Sequence, residues 1–159
     1  MMFTHSIKIL LMFFAFSFMA LSCADKTASL EEPFSVIVID SYLKASYSTI
    51  YLLDKDEIKV IYSGNLEDET DSVVYVKELT ETEKRKVANL FLNFPLKDLK
   101  EKYIDSNVLD GSRKIFDITI GKVNRQIQIL NYYQNDIGEL VDFINTLVTI
   151  EHRIKYEAY

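Results

Sequence analysis

A chain of 159 residues with a formal net charge of −6 holds one ordinary domain, and 48% hydrophobic against 26% charged residues is the balance of a globular chain. Its acidity removes phosphate counterion release as a binding force, which argues against a nucleic-acid partner. A single cysteine excludes an internal disulfide and any multi-cysteine metal cluster. There is no phosphate-cradling glycine loop and no dinucleotide fingerprint, so no cofactor and no metal is expected.

The first eight residues hold Lys8 and no acid, and Ile9 to Leu21 is an uncharged apolar run. The run is short of the ~20 residues that span a bilayer and suits the apolar region of a signal peptide. Small side chains at Ala20 and Ser22 lead to Cys23, and polar residues begin at Asp25. A basic start orients such a segment, the apolar run enters the membrane, and small residues expose the backbone to a protease. The tetrad Ala20-Leu21-Ser22-Cys23 resembles the lipobox of bacterial lipoproteins, with Ala20 where the strongest form has leucine. The resemblance covers the first ~25 residues. It implies that residues 1–22 are cut away, that Cys23 takes a diacylglycerol thioether and that the new amine is acylated. Several acyl chains, at ~0.8 kcal/mol per buried CH₂, then hold the protein to a membrane. With Ala24 rather than aspartate after the cysteine, that membrane is expected to be the outer one. Residues 23–33 read as the lipidated cysteine and a short tether, and residues 34–159 as a single α+β domain.

Within that domain, Phe34 to Asp40 is β-branched and apolar and predicts a strand. Ser46 to Leu53 alternates, with Tyr47, Thr49, Tyr51 and Leu53 on one face and Ile50 and Leu52 on the other. Asp54-Lys55-Asp56 predicts a turn into a partner strand, Glu57 to Ser63, and Val73 to Leu79 predicts a further strand. Thr80-Glu81-Thr82-Glu83 is a capping box, so a helix is expected from Glu81 to about Asn93, ended by Pro95. Leu96 to Tyr103 predicts a second, shorter helix, with Leu96, Leu99 and Tyr103 inward. Lys114 to Ile120 and Val123 to Leu130 predict a hairpin around Gly121-Lys122, with Arg125 interrupting the apolar face at an edge. Asp136 followed by Glu139 predicts the start of a last helix, with Ile137, Leu140, Val141, Ile144, Leu147 and Val148 as its apolar stripe. The tail from Arg153 reads as a frayed end or an added strand. Strands then helix, twice over, predict an α+β fold: an antiparallel sheet with two amphipathic helices packed on one face.

The chemistry is spare. His5 lies in the signal segment, leaving His152, which beside Arg153 reads as a cation in a fraying last turn. A nucleophile-base system needs an aligned histidine, so none is expected and no catalytic residue is assigned. Acids gather in predicted turns, at Asp54, Asp56 and Glu57 and again at Glu67, Asp68, Glu69 and Asp71, where carboxylates are solvated. The run from Asp105 to Gly111 fails the calcium-loop spacing, with glycine seventh and Phe116 twelfth, and reads as a turn. Ten tyrosines remain as the unusual feature. Tyrosine suits a half-buried strand face, which is the structural reading of these residues, and it also suits binding surfaces; the candidate binding site is an exposed tyrosine patch on the sheet face away from the helices, to be tested at Tyr51 and Tyr133.

The layout is similar to that of small uncharacterised lipoproteins of Bacteroidota-type bacteria, a resemblance that implies no activity. The function expected is a membrane-tethered, non-catalytic binding or accessory lipoprotein of the cell envelope, whose partner is an envelope protein or polymer. The alternatives are a carboxylate-based envelope hydrolase and a periplasmic inhibitor of a partner enzyme.

Overall fold

Period-two alternation of branched and aromatic residues lets each strand bury one row of side chains, and the strands meet in one sheet. The computed structural model describes residues 33–42, 47–64, 70–108 and 111–157. Strands β1 (Phe34–Tyr42), β2 (Tyr47–Leu53), β3 (Glu57–Gly64) and β4 (Ser72–Glu78) form a meander that leads into helix α1 (Glu81–Leu92). There follow β5 (Lys102–Ile104), the hairpin β6 (Ser112–Ile120) and β7 (Val123–Leu130), and helix α2 (Asn135–Leu147). A single 3-10 turn, Ile150–His152, comes after it. The sheet order is β4-β3-β2-β1-β6-β7-β5, antiparallel except where β5 pairs with β7. The fold is thus α+β on a mostly antiparallel sheet. Among the described residues no helix is long and apolar enough to cross a membrane. The expected signal peptide, residues 1–22, and Cys23 lie outside the described residues.

Register explains the core. Val36 faces Leu53 and Ile118, while Val38 faces Tyr51 and Phe116, so one row of each strand shares a face. Ile58 and Val60 continue that face through β3, and Ile127 and Ile129 through β7. Val87 and Phe91 of α1 and Ile137, Leu140, Ile144 and Leu147 of α2 join the same apolar cluster. Each such side chain, fully buried, contributes roughly 1.5–3 kcal/mol.

Two local signals act as read. The Thr80 backbone N–H donates to Glu83 Oε2 (2.9 Å), while the Glu83 N–H donates to Thr80 Oγ1 (3.3 Å), closing the capping box. Gly121 turns the β6–β7 hairpin at φ 58°, a left-handed value that glycine adopts without steric cost.

Three expectations are corrected. Leu96 to Tyr103 forms no helix. Leu96 and Leu99 are buried as expected, but in a turn in which the Asp98 N–H donates to the Pro95 carbonyl (2.9 Å). The chain then extends into β5, because the outer edge of β7 offers backbone partners that a two-turn helix would leave unused. Helix α2 is capped by Gln134, not Asp136: Gln134 Oε1 accepts from the Ile137 N–H (2.6 Å), and Asp136 accepts from Gln134 Nε2 (2.6 Å). A longer amide reaches the first turn from two places earlier because the Tyr156 hydroxyl accepts the Gln134 backbone N–H (2.8 Å) and fixes it there. The tail through residue 157 neither frays nor forms a strand, since Ile154 is 3% exposed and both of its backbone groups are bonded by Asn145.

A tyrosine-lined cleft as candidate functional site

The strand rows that bury Val38 and Tyr51 continue outward as polar residues. Asp40 of β1 faces Thr49 of β2 and Lys114 of β6, and Thr49 faces Tyr62 of β3. Lys114 is only 2% exposed, an expensive place for an ammonium unless it is paired. Its Nζ lies 2.9 Å from Asp40 Oδ1 and also contacts Ser112 Oγ. The contact with Asp40 is a close, buried ion pair.

The segment after α2 forms the facing wall. Asn145 fixes Ile154, and the 3-10 turn before it lays the His152 ring against Tyr75 (5.5 Å between centroids) and Tyr62 (6.3 Å). His152 Nδ1 is buried without a hydrogen-bond partner among the described residues. Between the two walls lies an open cleft of about 210 Å³, with Asp40, Thr49 and Tyr51 on one side and Glu151, His152, Arg153 and Lys155 on the other. Tyr47 and Tyr62 stand at its mouth, 58% and 40% exposed, with ring centroids 6.3 Å apart. Burial pushes the Tyr51 hydroxyl well above its usual pKa, with the charge of Asp40 and the neighbouring Tyr62 adding to it, so Tyr51 is a neutral donor and acceptor.

The expected tyrosine patch is on neither of the residues meant to test it. Tyr51 is 3% exposed and lies in the core row, because the alternation that buries Leu53 carries Tyr51, Thr49 and Tyr47 on the same face. Tyr133 stacks on Tyr156 (4.9 Å). The opposite face is aliphatic instead, with Ile37, Ile39, Ile50, Leu52 and Ile61 in adjacent rows. His152 is likewise packed between tyrosines rather than fraying, since the turn that holds it is tied down on its C-terminal side.

The acids of the first turn are structural, while Asp71 is exposed. Asp54 Oδ1 accepts the backbone N–H groups of Asp56 (2.8 Å) and Glu57 (2.9 Å), and Glu57 pairs with Lys59. Asp105 Oδ1 accepts from the Asn107 N–H (2.9 Å), a turn as read. Glu67, Asp68 and Glu69 lie outside the described residues. Among the described residues no three acidic, histidine or cysteine side chains converge as metal ligands. A wider opening of about 340 Å³ lies between Phe91, Phe94, Pro95, Ile120 and Val123. Its charged side chains, Lys97 and Asp98, are both exposed, so burial holds neither in place to orient a ligand.

Alternation in β2 already placed Tyr47 and Tyr51 on one face with Leu53. The sequence signal missing for the cleft was the pairing of β1 with both β2 and β6, which alone brings Asp40, Thr49 and Lys114 together. No protein-family model matches the chain, and no curated protein matches it.

Proposed function

We propose that this protein is a membrane-tethered, non-catalytic binding lipoprotein of the bacterial cell envelope, anchored through Cys23 to the outer membrane, and that the tyrosine-lined cleft holds its ligand. The observation that carries the binding site is a single cleft lined by polar side chains, Asp40, Thr49, Glu151, Arg153 and Lys155, with the exposed rings of Tyr47 and Tyr62 at its mouth. A few convergent polar groups beside exposed aromatic rings are the kind of lining that orients and holds a small ligand. Binding is favoured over carboxylate hydrolysis because the cleft's Asp40 is engaged by a buried ammonium and the acids of the Asp54–Glu57 turn are engaged by backbone or lysine.

In this reading residues 34–159 act as one unit, and both helices pack on the sheet face that carries the core row. The tilted contact of Phe34 with Phe91 (4.8 Å) and the Tyr75 hydroxyl donating to the Leu147 carbonyl (3.1 Å) support that placement. The aliphatic face then stays open, away from the cleft.

Radioactive palmitate labelling of the wild type beside Cys23→Ser, followed by membrane fractionation, tests the anchor. Label on the wild type alone, sedimenting with outer membranes, is the expected result. An unlabelled wild type removes the anchor from the proposal. A pull-down from solubilised envelopes is expected to yield a partner that Tyr47→Ala releases.

A further inference from the structure

Building on the cleft as a binding site, we infer that its ligand is a saccharide, bound one ring at a time, with an acid-bearing ring preferred over a neutral one. Four features of the cleft select this chemistry. Its mouth is two tyrosine rings, flat apolar surfaces whose exposed faces suit the C–H face of a sugar. Its lining presents Asp40, a carboxylate that can only accept hydrogen bonds, and Thr49, whose hydroxyl can donate or accept, and the hydroxyl groups of a sugar answer both. An aromatic or aliphatic ligand would leave those groups unpaired. The space, about 210 Å³, suits a single ring, so a longer glycan would continue outward past Tyr47.

Charge sets the preference among sugars. Arg153 and Lys155 are exposed cations on the wall opposite Asp40, with Glu151 the one acid beside them. Asp40 is already balanced by Lys114 at 2.9 Å. The wall therefore has a surplus cation, and the fork of Arg153 fits a carboxylate on the sugar ring. A ligand with several phosphates is disfavoured by the acids on both sides of so narrow a space.

The test uses the full chain in micelles of a detergent without a sugar headgroup. The probes are a hexuronate-containing disaccharide, its neutral hexose counterpart and a short acidic peptide. The readout is the NMR signal of the His152 ring Cε1–H, assigned by its loss in His152→Gln. The expected result is a saturable shift with both sugars and none with the peptide, the uronate binding several-fold more tightly. Tyr47→Ala should weaken both sugars about 10-fold, the loss of one stacking contact. Arg153→Ala should abolish the preference for the uronate, and Gln126→Ala, an exposed change on another part of the sheet, should alter nothing. Tyr47 and Arg153 are both exposed, so neither variant threatens folding. No saturable shift with either sugar, a shift by the peptide, or sugar binding indifferent to Tyr47→Ala overturns the inference. Palmitate on Cys23 without sugar binding would remove the saccharide and leave the anchored lipoprotein standing; sugar binding by an unlabelled protein would do the reverse.

Discussion

The side-chain amide of Asn145 closes a two-bond bracket on the backbone of Ile154: Nδ2 donates to its carbonyl at 3.0 Å and Oδ1 accepts from its N–H at 2.8 Å. Helix α2 thereby holds the segment that walls the cleft. Replacing Asn145 by alanine removes both bonds and leaves two backbone groups of a nearly buried residue unpaired. The expected loss is about 2–3 kcal/mol by chemical denaturation, at up to ~1.5 kcal/mol per bond. The His152 ring signal should move toward that of a solvent-exposed imidazole in the same variant. An unchanged His152 signal would mean that other contacts hold the wall.

The Asp40–Lys114 pair predicts a strongly non-additive pair of mutations. Asp40→Leu strands the ammonium of Lys114 in a nearly dry site and should cost about 3–5 kcal/mol. The double variant Asp40→Leu with Lys114→Met removes both charges and should recover most of that loss. Additive losses in a double-mutant cycle would show that the two residues do not act as a pair.

Glu83 predicts the acid limb of stability. Hydrogen bonds from Lys77, then from the backbone and hydroxyl of Thr80, lower its carboxyl from 4.5 to about 2. A depressed folded-state pKa stabilises the protein above the unfolded value, so this contribution is whole above pH 4.5 and is lost as pH falls toward 2. Glu83→Gln should therefore be less stable than wild type at neutral pH, with a flatter decline across that window. Thr80→Ala should cost ~1 kcal/mol at neutral pH, as loss of a helix cap does. Parallel acid limbs in wild type and Glu83→Gln would assign the decline to other carboxylates.

Gly138 predicts a helix position where alanine does harm. Alanine is the better helix former by ~1 kcal/mol. A Cβ at this buried place would nevertheless meet Tyr133, lying 2.7 Å from its Cζ and closer still to its hydroxyl. Tyr133 cannot simply swing away, because its ring is stacked on Tyr156. Gly138→Ala should lower stability by about 1–3 kcal/mol, the usual cost of overpacking. Adding Tyr133→Leu should relieve much of it. Equal or higher stability of Gly138→Ala in thermal melts would show that the ring has room to move.

Local physics settled much of this fold in the sequence alone. The capping box at Thr80, the glycine turn at Gly121 and the alternation in β2, β3, β6 and β7 depend on neighbours within a few residues, and they form as read. The even spacing of Tyr47, Tyr51 and Leu53 also assigned those side chains to one face. It could not say which face the core would occupy: Tyr51 is buried with Leu53, and Tyr47 and Tyr62 are the exposed ends of the same row. A row containing both leucine and tyrosine is ambiguous until the rest of the core packs against it.

Only the tertiary structure decided the rest, because the decisive partners are distant in the chain. Asp40 and Lys114 meet through β1 lying between β2 and β6, an order no local pattern encodes. The parallel pairing of β5 with β7 overrode the apolar spacing of Leu96 and Leu99, since β7 had an edge to satisfy. Gln134 displaced Asp136 as a helix cap because Tyr156 holds its backbone. His152 entered the cleft because Asn145 binds Ile154. Alternation and capping are set by bonds and rotations within a turn or two of chain. The cleft is set by register and by side chains that reach across the sheet, and those exist only once the core has closed.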